Sequence, residues 1–425
     1  ETLFKEKQTI IENCLFGVDI NPNSVKICRL RLWIELLKNA YYKNNEELET
    51  LPNIDINIKQ GNSLIHKFAV TDSISEVLKQ SDISIAEYRD AVAHYKNAPN
   101  KENKKDVSRI IEQIKSNLTT GISRNDPKLK QLQALKGKLS GLQDQQELFE
   151  LSDKEKKQRQ SDVGKLELEI AKIEAVFEEI KNNRIYQNAF EWRIEFPEVL
   201  AENGDFLGFD CVIGNPPYIQ LQTMGQDSDI LGKMDFLTFA KTGDIYCLFY
   251  ELGMTLLKDK ALLAYITSNK WMRAGYGSVM RSYLVEHTNP ILLIDFAGYK
   301  VFDSATVDVN ILLAEKAPYQ QQTQACAIDK KNFCIDNLSD YITQNYSVCC
   351  FNSDSWVVLS PIELSIKRKI EAVGTPLKDW DIQINYGIKT GCNEAFIITS
   401  AKRDEILANC QTEEERQRTA ELIRP

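Results

Sequence analysis

Hydrophobic positions along this chain fall into two regimes. Short apolar runs that end in turn residues alternate with helix-period segments at both ends of the chain, and a long polar stretch separates them. Leu15-Phe16-Gly17-Val18-Asp19-Ile20 is one such run, followed by Asn21-Pro22 and a helical spacing of Val25, Cys28, Leu32 and Leu36 within Ser24–Leu37. Ile54 to Ser63 alternates like a strand and ends in Gly61-Asn62. Phe209-Asp210-Cys211-Val212-Ile213-Gly214 is a third strand, and Ala261–Thr267, Ile291–Phe296 and Val309–Ala314 are three more. Helices are predicted over Glu1–Asn13, Ile245–Leu257, Tyr276–Glu286 and Ser360–Val373. Strands alternating with helices predict an α/β fold with a mostly parallel sheet covered on both faces.

Between about Asp72 and Asn188 the strand pattern stops. Lys, Glu, Gln and Asp dominate, and three apolar seams step by three and four: Val107/Ile110/Ile114/Leu118, Leu132/Leu135/Leu139/Leu142 and Leu166/Ile170/Ile173/Phe177/Ile180. Asn125-Asp126-Pro127 breaks the helical run. This predicts a helical coiled-coil insertion, an antiparallel hairpin or small bundle. Nothing in it interleaves basic and aromatic residues, so a packing element is favoured over a nucleic-acid arm.

The candidate chemistry sits at the end of the third strand, in Asn215-Pro216-Pro217-Tyr218. The composition suits a grip on an exocyclic amino group of a planar ring. Such a nitrogen is a poor nucleophile because its lone pair is delocalised. Two acceptors aimed at its N–H groups would draw it toward a tetrahedral geometry: the amide oxygen of Asn215 and the main-chain carbonyl of Pro216. Proline has a set φ and no N–H, and Pro217 stiffens the residue before it. Tyr218 offers a face for stacking. Asp19, at a strand end, can accept both hydroxyls of a ribose, and Asn62 can both donate to and accept from a base edge. Each also has a plain alternative, since Asp and Asn favour helix caps and turns.

These pieces in this order resemble the amino-methyltransferases that use S-adenosylmethionine. The likeness extends through Phe190–Leu200, Gly243–Glu251, Tyr265–Gly277 and Tyr386–Phe396. It is closest to the large adenine-specific DNA methyltransferases of type IIG restriction–modification and phage-defence systems. The resemblance implies a Rossmann-like sheet and transfer of a methyl group from S-adenosylmethionine to N6 of an adenine flipped out of double-stranded DNA. It implies amino-group contacts by Asn215 and Pro216, stacking by Tyr218 and Phe302, and cofactor contacts by Asp19 and Asn62. It divides the chain into a first methyltransferase part (1–70), the helical insertion (71–188), a catalytic part (189–320) and the start of a target-recognition domain (321–425). It also implies a glycine-rich loop of the pattern Asp-Pro-x-Cys-Gly-x-Gly ahead of Leu15, which residues 1–14 do not contain. The expectation is a piece of a longer chain whose first strand, mid-sheet between those ending at Asp19 and Asn215, is missing. Two other readings stay open: a protein-glutamine or RNA-base methyltransferase, and a catalytically silent recognition or scaffold piece.

Charge and cysteine content qualify this picture. Among 425 residues the net charge is −9, against the usual basic face of a nucleic-acid binder, so a basic cleft would have to be local. The ten cysteines form no C-x-x-C pair and only three histidines are present, which argues against structural zinc. Cys14, Cys28, Cys211 and Cys247 sit in apolar runs and read as reduced core residues of a cytoplasmic protein. No apolar span approaches 20 residues.

Overall fold

Asn21 starts the first well-defined α/β unit. Its side chain accepts from the Asn23 N–H and Pro22 takes the first helical position, where a missing N–H costs nothing. In this computed structural model the described residues are 2–43, 47–49, 51–66, 69–70, 78, 84–98, 101–125, 127–144, 153–182, 189–302, 307–328, 335–382 and 398–423. They divide into two compact units, Glu1–Leu364 and Ser365–Pro425.

The first unit opens with α1 (Thr2–Asn13), β1 (Gly17–Asp19) and α2 (Pro22–Leu37). Phe4 and Ile11 of α1 bury against Leu36 and Ile54. A two-residue ribbon, β2 (Tyr42–Lys43) with β3 (Glu47–Leu48), precedes β4 (Ile58–Gln60), which pairs parallel with β1. The predicted strand from Ile54 is shorter than expected, because Ile54–Ile56 forms a 3₁₀ turn. Two side chains hold that turn. Asn57 donates to the carbonyls of Glu12 (2.7 Å) and Leu15 (3.2 Å), and Arg29 donates to those of Asp55 and Ile58.

The polar stretch is helical where described: α3 (Ile85–Lys96), α4 (Lys101–Asn125), α5 (Pro127–Asp144) and α6 (Asp153–Asn182). Its two halves differ. Ile85, Tyr88 and Val92 of α3 and Ile111, Ile114 and Leu118 of α4 bury against Ile194 and Leu200 of the sheet-bearing part. Ile110, predicted on that seam, is exposed and Ile111 takes its place, because the helix turns its face toward both α3 and the core residues Ile194 and Leu200. Leu132 and Leu135 of α5 pack with Ile170 of α6.

The remaining elements are α7 (Trp192–Glu195), β5 (Phe209–Gly214), α8 (Gln226–Leu231), α9 (Tyr246–Leu256), β6 (Leu257–Ser268), α10 (Ser278–His287), β7 (Asn289–Asp295), β8 (Val309–Glu315), β9 (Thr323–Ala327), α11 (Leu338–Asn345) and β10 (Ser347–Cys349). The six strands form one sheet in the order β10-β9-β7-β8-β6-β5. The sheet is mixed, not mostly parallel. β5–β6 and β7–β9 are parallel, whereas β8 runs antiparallel to both β6 and β7. The cause lies in the connection: among its described residues no helix crosses over between β7 and β8, and β8 pairs antiparallel beside β7. The expected division at 320/321 falls within this sheet, which β9 and β10 extend.

Of the four cysteines read as core, Cys247 is buried but Cys14, Cys28 and Cys211 are exposed. Cys211 lies on β5, which among the described residues is bonded on one side only, to β6. Helix α12 (Pro361–Val373) crosses the division between the units, and the second unit holds α13 (Ser400–Ala408) and α14 (Glu413–Leu422), capped by Thr399 and Thr412. The segment Tyr386–Phe396 lies outside the described residues. No helix among them is long and apolar enough to cross a membrane.

Candidate active site

The tip Asn215–Tyr218 leaves the carboxyl end of β5 beside β6, with Gly214 paired to Tyr265. Gly214 lies against the Tyr265 ring, which a Cβ would approach to 3.1 Å, so the strand can run close to its neighbour there. Pro216 is buried and Asn215 exposed, which leaves the Asn215 amide at the surface above a fixed base. The Tyr218 hydroxyl donates to Asn215 Oδ1 at 3.0 Å and lies 3.3 Å from the Ile266 carbonyl. Burial pushes the Tyr218 phenol above its ordinary pKa, so it remains an O–H donor near neutrality. The tip continues into a short ladder: Ile245 N–H donates to the Ile219 carbonyl (2.9 Å) and Leu221 N–H to that of Gly243 (2.8 Å).

Phe302 is half-buried against Ile294, Phe296, Val309 and Ile328, a cluster on which Tyr218 also packs. The structure thus brings Tyr218 and Phe302 to one end of the sheet. The residues that follow Phe302, Asp303-Ser304-Ala305-Thr306, lie outside the described residues.

Asp19 and Asn62 come together at the neighbouring ends of β1 and β4. Asp19 is exposed, its Oδ1 accepting from the Asn21 N–H (2.7 Å) and its carbonyl from the Gly61 N–H (3.0 Å). Asn62 Oδ1 accepts from the Leu64 N–H (3.2 Å). Both side chains therefore shape turns, as the plainer reading had it, and both remain next to each other. An aromatic group links this pair to β5: Phe16 and Phe209 stand 5.8 Å apart, around Phe190, Trp192 and Phe196.

Three polar residues close to the tip received no role from the sequence. Tyr246 is fully buried, and its ring meets that of Tyr218 edge-on at 6.1 Å and 88°. Its hydroxyl lies 2.9 Å from that of Tyr276, which donates to Asp244 Oδ2 at 2.8 Å. All three lie in Gly243–Glu251 and the segment Tyr265–Gly277, which the sequence marked for resemblance alone. Arg281, near the tip-side segments, is spent internally on the carbonyls of Trp271, Ala274 and Ser353.

The model of the Eco57I restriction-modification methylase family matches residues 13–302, more than half of the chain. The chain belongs to that family. A protein of Methanocaldococcus jannaschii described as a type II restriction enzyme and methyltransferase is 28% identical over 347 residues, which cover 74% of this chain and 27% of that protein. The type II restriction enzyme and methyltransferase RM.Eco57I of Escherichia coli is 26% identical over 203 residues, 46% of this chain and 20% of its own length. The chain thus matches between a fifth and 27% of the length of these two relatives. Among solved structures, the type IIL restriction-modification enzyme MmeI in complex with DNA overlaps 30% of this chain and 18% of its own, at 17% identity and a TM-score of 0.26. An overlap that small does not bear on the geometry above.

Proposed function

We propose that this chain is the catalytic part of an adenine-specific DNA methyltransferase of a restriction–modification or phage-defence system. The supporting observation is the tip of β5: an exposed Asn215 amide on the buried Pro216, beside a half-buried Tyr218 that shares its packing cluster with Phe302. Asn215 Oδ1 and the Pro216 carbonyl accept from the two N–H groups of the target amine. The two rings hold the base once it has left the duplex, a step that costs a few kcal/mol. Base–aromatic stacking offsets about 1–3 kcal/mol of that cost. No general base is needed before attack, since the proton leaves after the nitrogen becomes cationic.

The donor set at β1 and β4 fits the nucleoside half of S-adenosylmethionine. An exposed carboxylate, Asp19, stands beside an amide, Asn62, and the two are tied by the Gly61–Asp19 hydrogen bond. Asp19 would take the ribose hydroxyls and Asn62 the adenine edge. When bound, the cofactor supplies an electrophilic methyl group. We read the β1–β4 pair and the six-stranded sheet as two parts of one Rossmann-like sheet, with room for a strand between β1 and β5. We further read 71–188 as an insertion and the chain beyond the sheet as the start of a target-recognition domain for double-stranded DNA.

The test is transfer of labelled methyl from S-adenosylmethionine by the full-length protein to duplex DNA, RNA and cell protein in parallel. Label is expected in DNA as N6-methyladenine. Asn215→Ala is expected to lower transfer on the order of a hundredfold, comparable to loss of one preorganised polar group in other active sites, with cofactor affinity unchanged. Label only in RNA or protein would overturn the substrate class, and no label would favour a silent scaffold.

A further inference from the structure

We infer that Asp244, Tyr276 and Tyr246 form a positioning relay that sets the plane of the Tyr218 ring and the register of the tip carrying Asn215. The inference rests on the function proposed above and adds three residues to it.

The direction of each hydrogen bond follows from donor capacity. A carboxylate only accepts, so the Tyr276 hydroxyl gives its proton to Asp244. Its oxygen must then accept from Tyr246, 2.9 Å away. Both phenols are anchored at their far ends, and neither ring can swing without breaking a bond in a buried setting. An orphaned hydroxyl there would cost about 1–3 kcal/mol. Burial pushes both phenols upward in pKa, so the protons stay in place across the neutral range. The Tyr246 ring, held in this way, presents its edge to Tyr218.

Close backbone approaches make the relay possible. A Cβ on Gly243 would stand 3.2 Å from the Tyr276 ring and 3.0 Å from the Ala240 carbonyl, and one on Gly277 would stand 2.0 Å from the Trp271 carbonyl. Asp244 is also bridged to Gln220, two residues past Tyr218. One acidic residue therefore fixes the tip twice, through the ring stack and through the backbone ladder. None of the three residues touches the reacting atoms. They act through Tyr218 and Asn215.

The test is steady-state methyl transfer to unmethylated duplex DNA by the full-length protein, with folding stability measured alongside. Tyr276→Phe is expected to lower kcat/KM for DNA about tenfold, since small misplacements of positioning groups cost that much or more. The KM for S-adenosylmethionine should stay within about twofold, because the cofactor contacts lie on β1 and β4. The double variant Tyr246→Phe/Tyr276→Phe removes the orphaned hydroxyl. It should regain stability while transfer stays low. Should Tyr276→Phe fold poorly, Asp244→Asn keeps an acceptor oxygen and is expected to retain most transfer, whereas Asp244→Ala is not. Wild-type transfer in Tyr276→Phe, or transfer restored together with stability in the double variant, would overturn the relay alone. No transfer by the wild-type protein would overturn the proposed function and the relay with it.

Discussion

Gly61 has no room for a side chain. A Cβ there would stand 2.6 Å from the Phe190 ring, and Phe190 is pinned among Trp192, Phe196 and Phe16. The same residue donates its N–H to the Asp19 carbonyl and precedes Asn62. Gly61→Ala should therefore cost about 1–3 kcal/mol, the usual penalty for overpacking, and weaken S-adenosylmethionine binding by moving Asn62 from Asp19. Denaturant melts and calorimetric titration check both halves; a variant as stable as wild type would show that Phe190 can yield. At this scale the sequence was legible where a residue works with its chain neighbours. Asn215, Pro216 and Tyr218 are such a set, because the turn that presents them is local. Asp244 and Tyr276 were not, because their contact spans a separation of 32 residues and two ordinary glycine turns give no sign that they meet.

The insertion shows what an element adds to this picture. Its inner helices are joined to the sheet-bearing part by charge as well as by apolar packing. Glu195 of α7 accepts from Lys59 of β4 (2.9 Å) and from Lys115 of α4 (3.0 Å), one residue ahead of the Gln60-Gly61-Asn62 turn. Burial alone would raise the Glu195 carboxyl, but the two ammonium groups outweigh it and hold it below the ordinary carboxylate range. Lys59 is pushed down by its own burial; with two cations on one carboxylate, we take the group as ionised. The folded carboxyl thus lies below its unfolded value of about 4.3, so its contribution is complete above that value and disappears as pH falls through the folded one. Glu195→Gln should cost about 1–3 kcal/mol at neutral pH, by taking the carboxylate partner from the half-buried Lys59 ammonium and leaving Lys115 with Glu112 alone among the described residues. That difference should shrink steadily below about pH 4. Chemical denaturation at a series of pH values measures it, and a gap that widens in acid would remove Glu195 from this role. Helical periodicity identified helices in the polar stretch, and the seams of α5 and α6 pack much as spaced. It did not reveal that α3 and α4 belong to the core, since their partners Ile194 and Leu200 lie about a hundred residues further on and periodicity registers only neighbours on one helix.

On the scale of the whole molecule, two strand edges remain to be explained. Among the described residues β1 is bonded only to β4 and β5 only to β6. Ile213, in the run that leads to the Asn215–Tyr218 tip, is 82% exposed, and Leu15 and Ile20 beside β1 and Ile27, Leu30 and Ile34 of α2 are exposed as well. Open apolar edges of this kind invite pairing. Strand-by-strand reading of the sequence placed Leu15, Ile20 and Ile213 in apolar runs, but it could not show that they are exposed, because exposure is a property of the assembled sheet. On the function proposed above, one further strand followed by a glycine-rich turn would pair with β1 and β5, whose neighbouring Phe16 and Phe209 are in ring contact. A protein extended upstream to carry such a segment should bind S-adenosylmethionine at least about a hundredfold more tightly than residues 1–425 alone, because the segment would complete the cofactor site and join its halves, about 2.7 kcal/mol of coupling. Hydrogen exchange provides an independent readout. Amides of β5 from Asp210 to Gly214 should become strongly protected in the extended protein, since each outer N–H gains a partner, while those of β6, already paired on both sides, should change little. Equal cofactor affinity in the two proteins, with β5 exchanging at the same rate in both, would mean that β5 is a true edge and that the two sheets act independently.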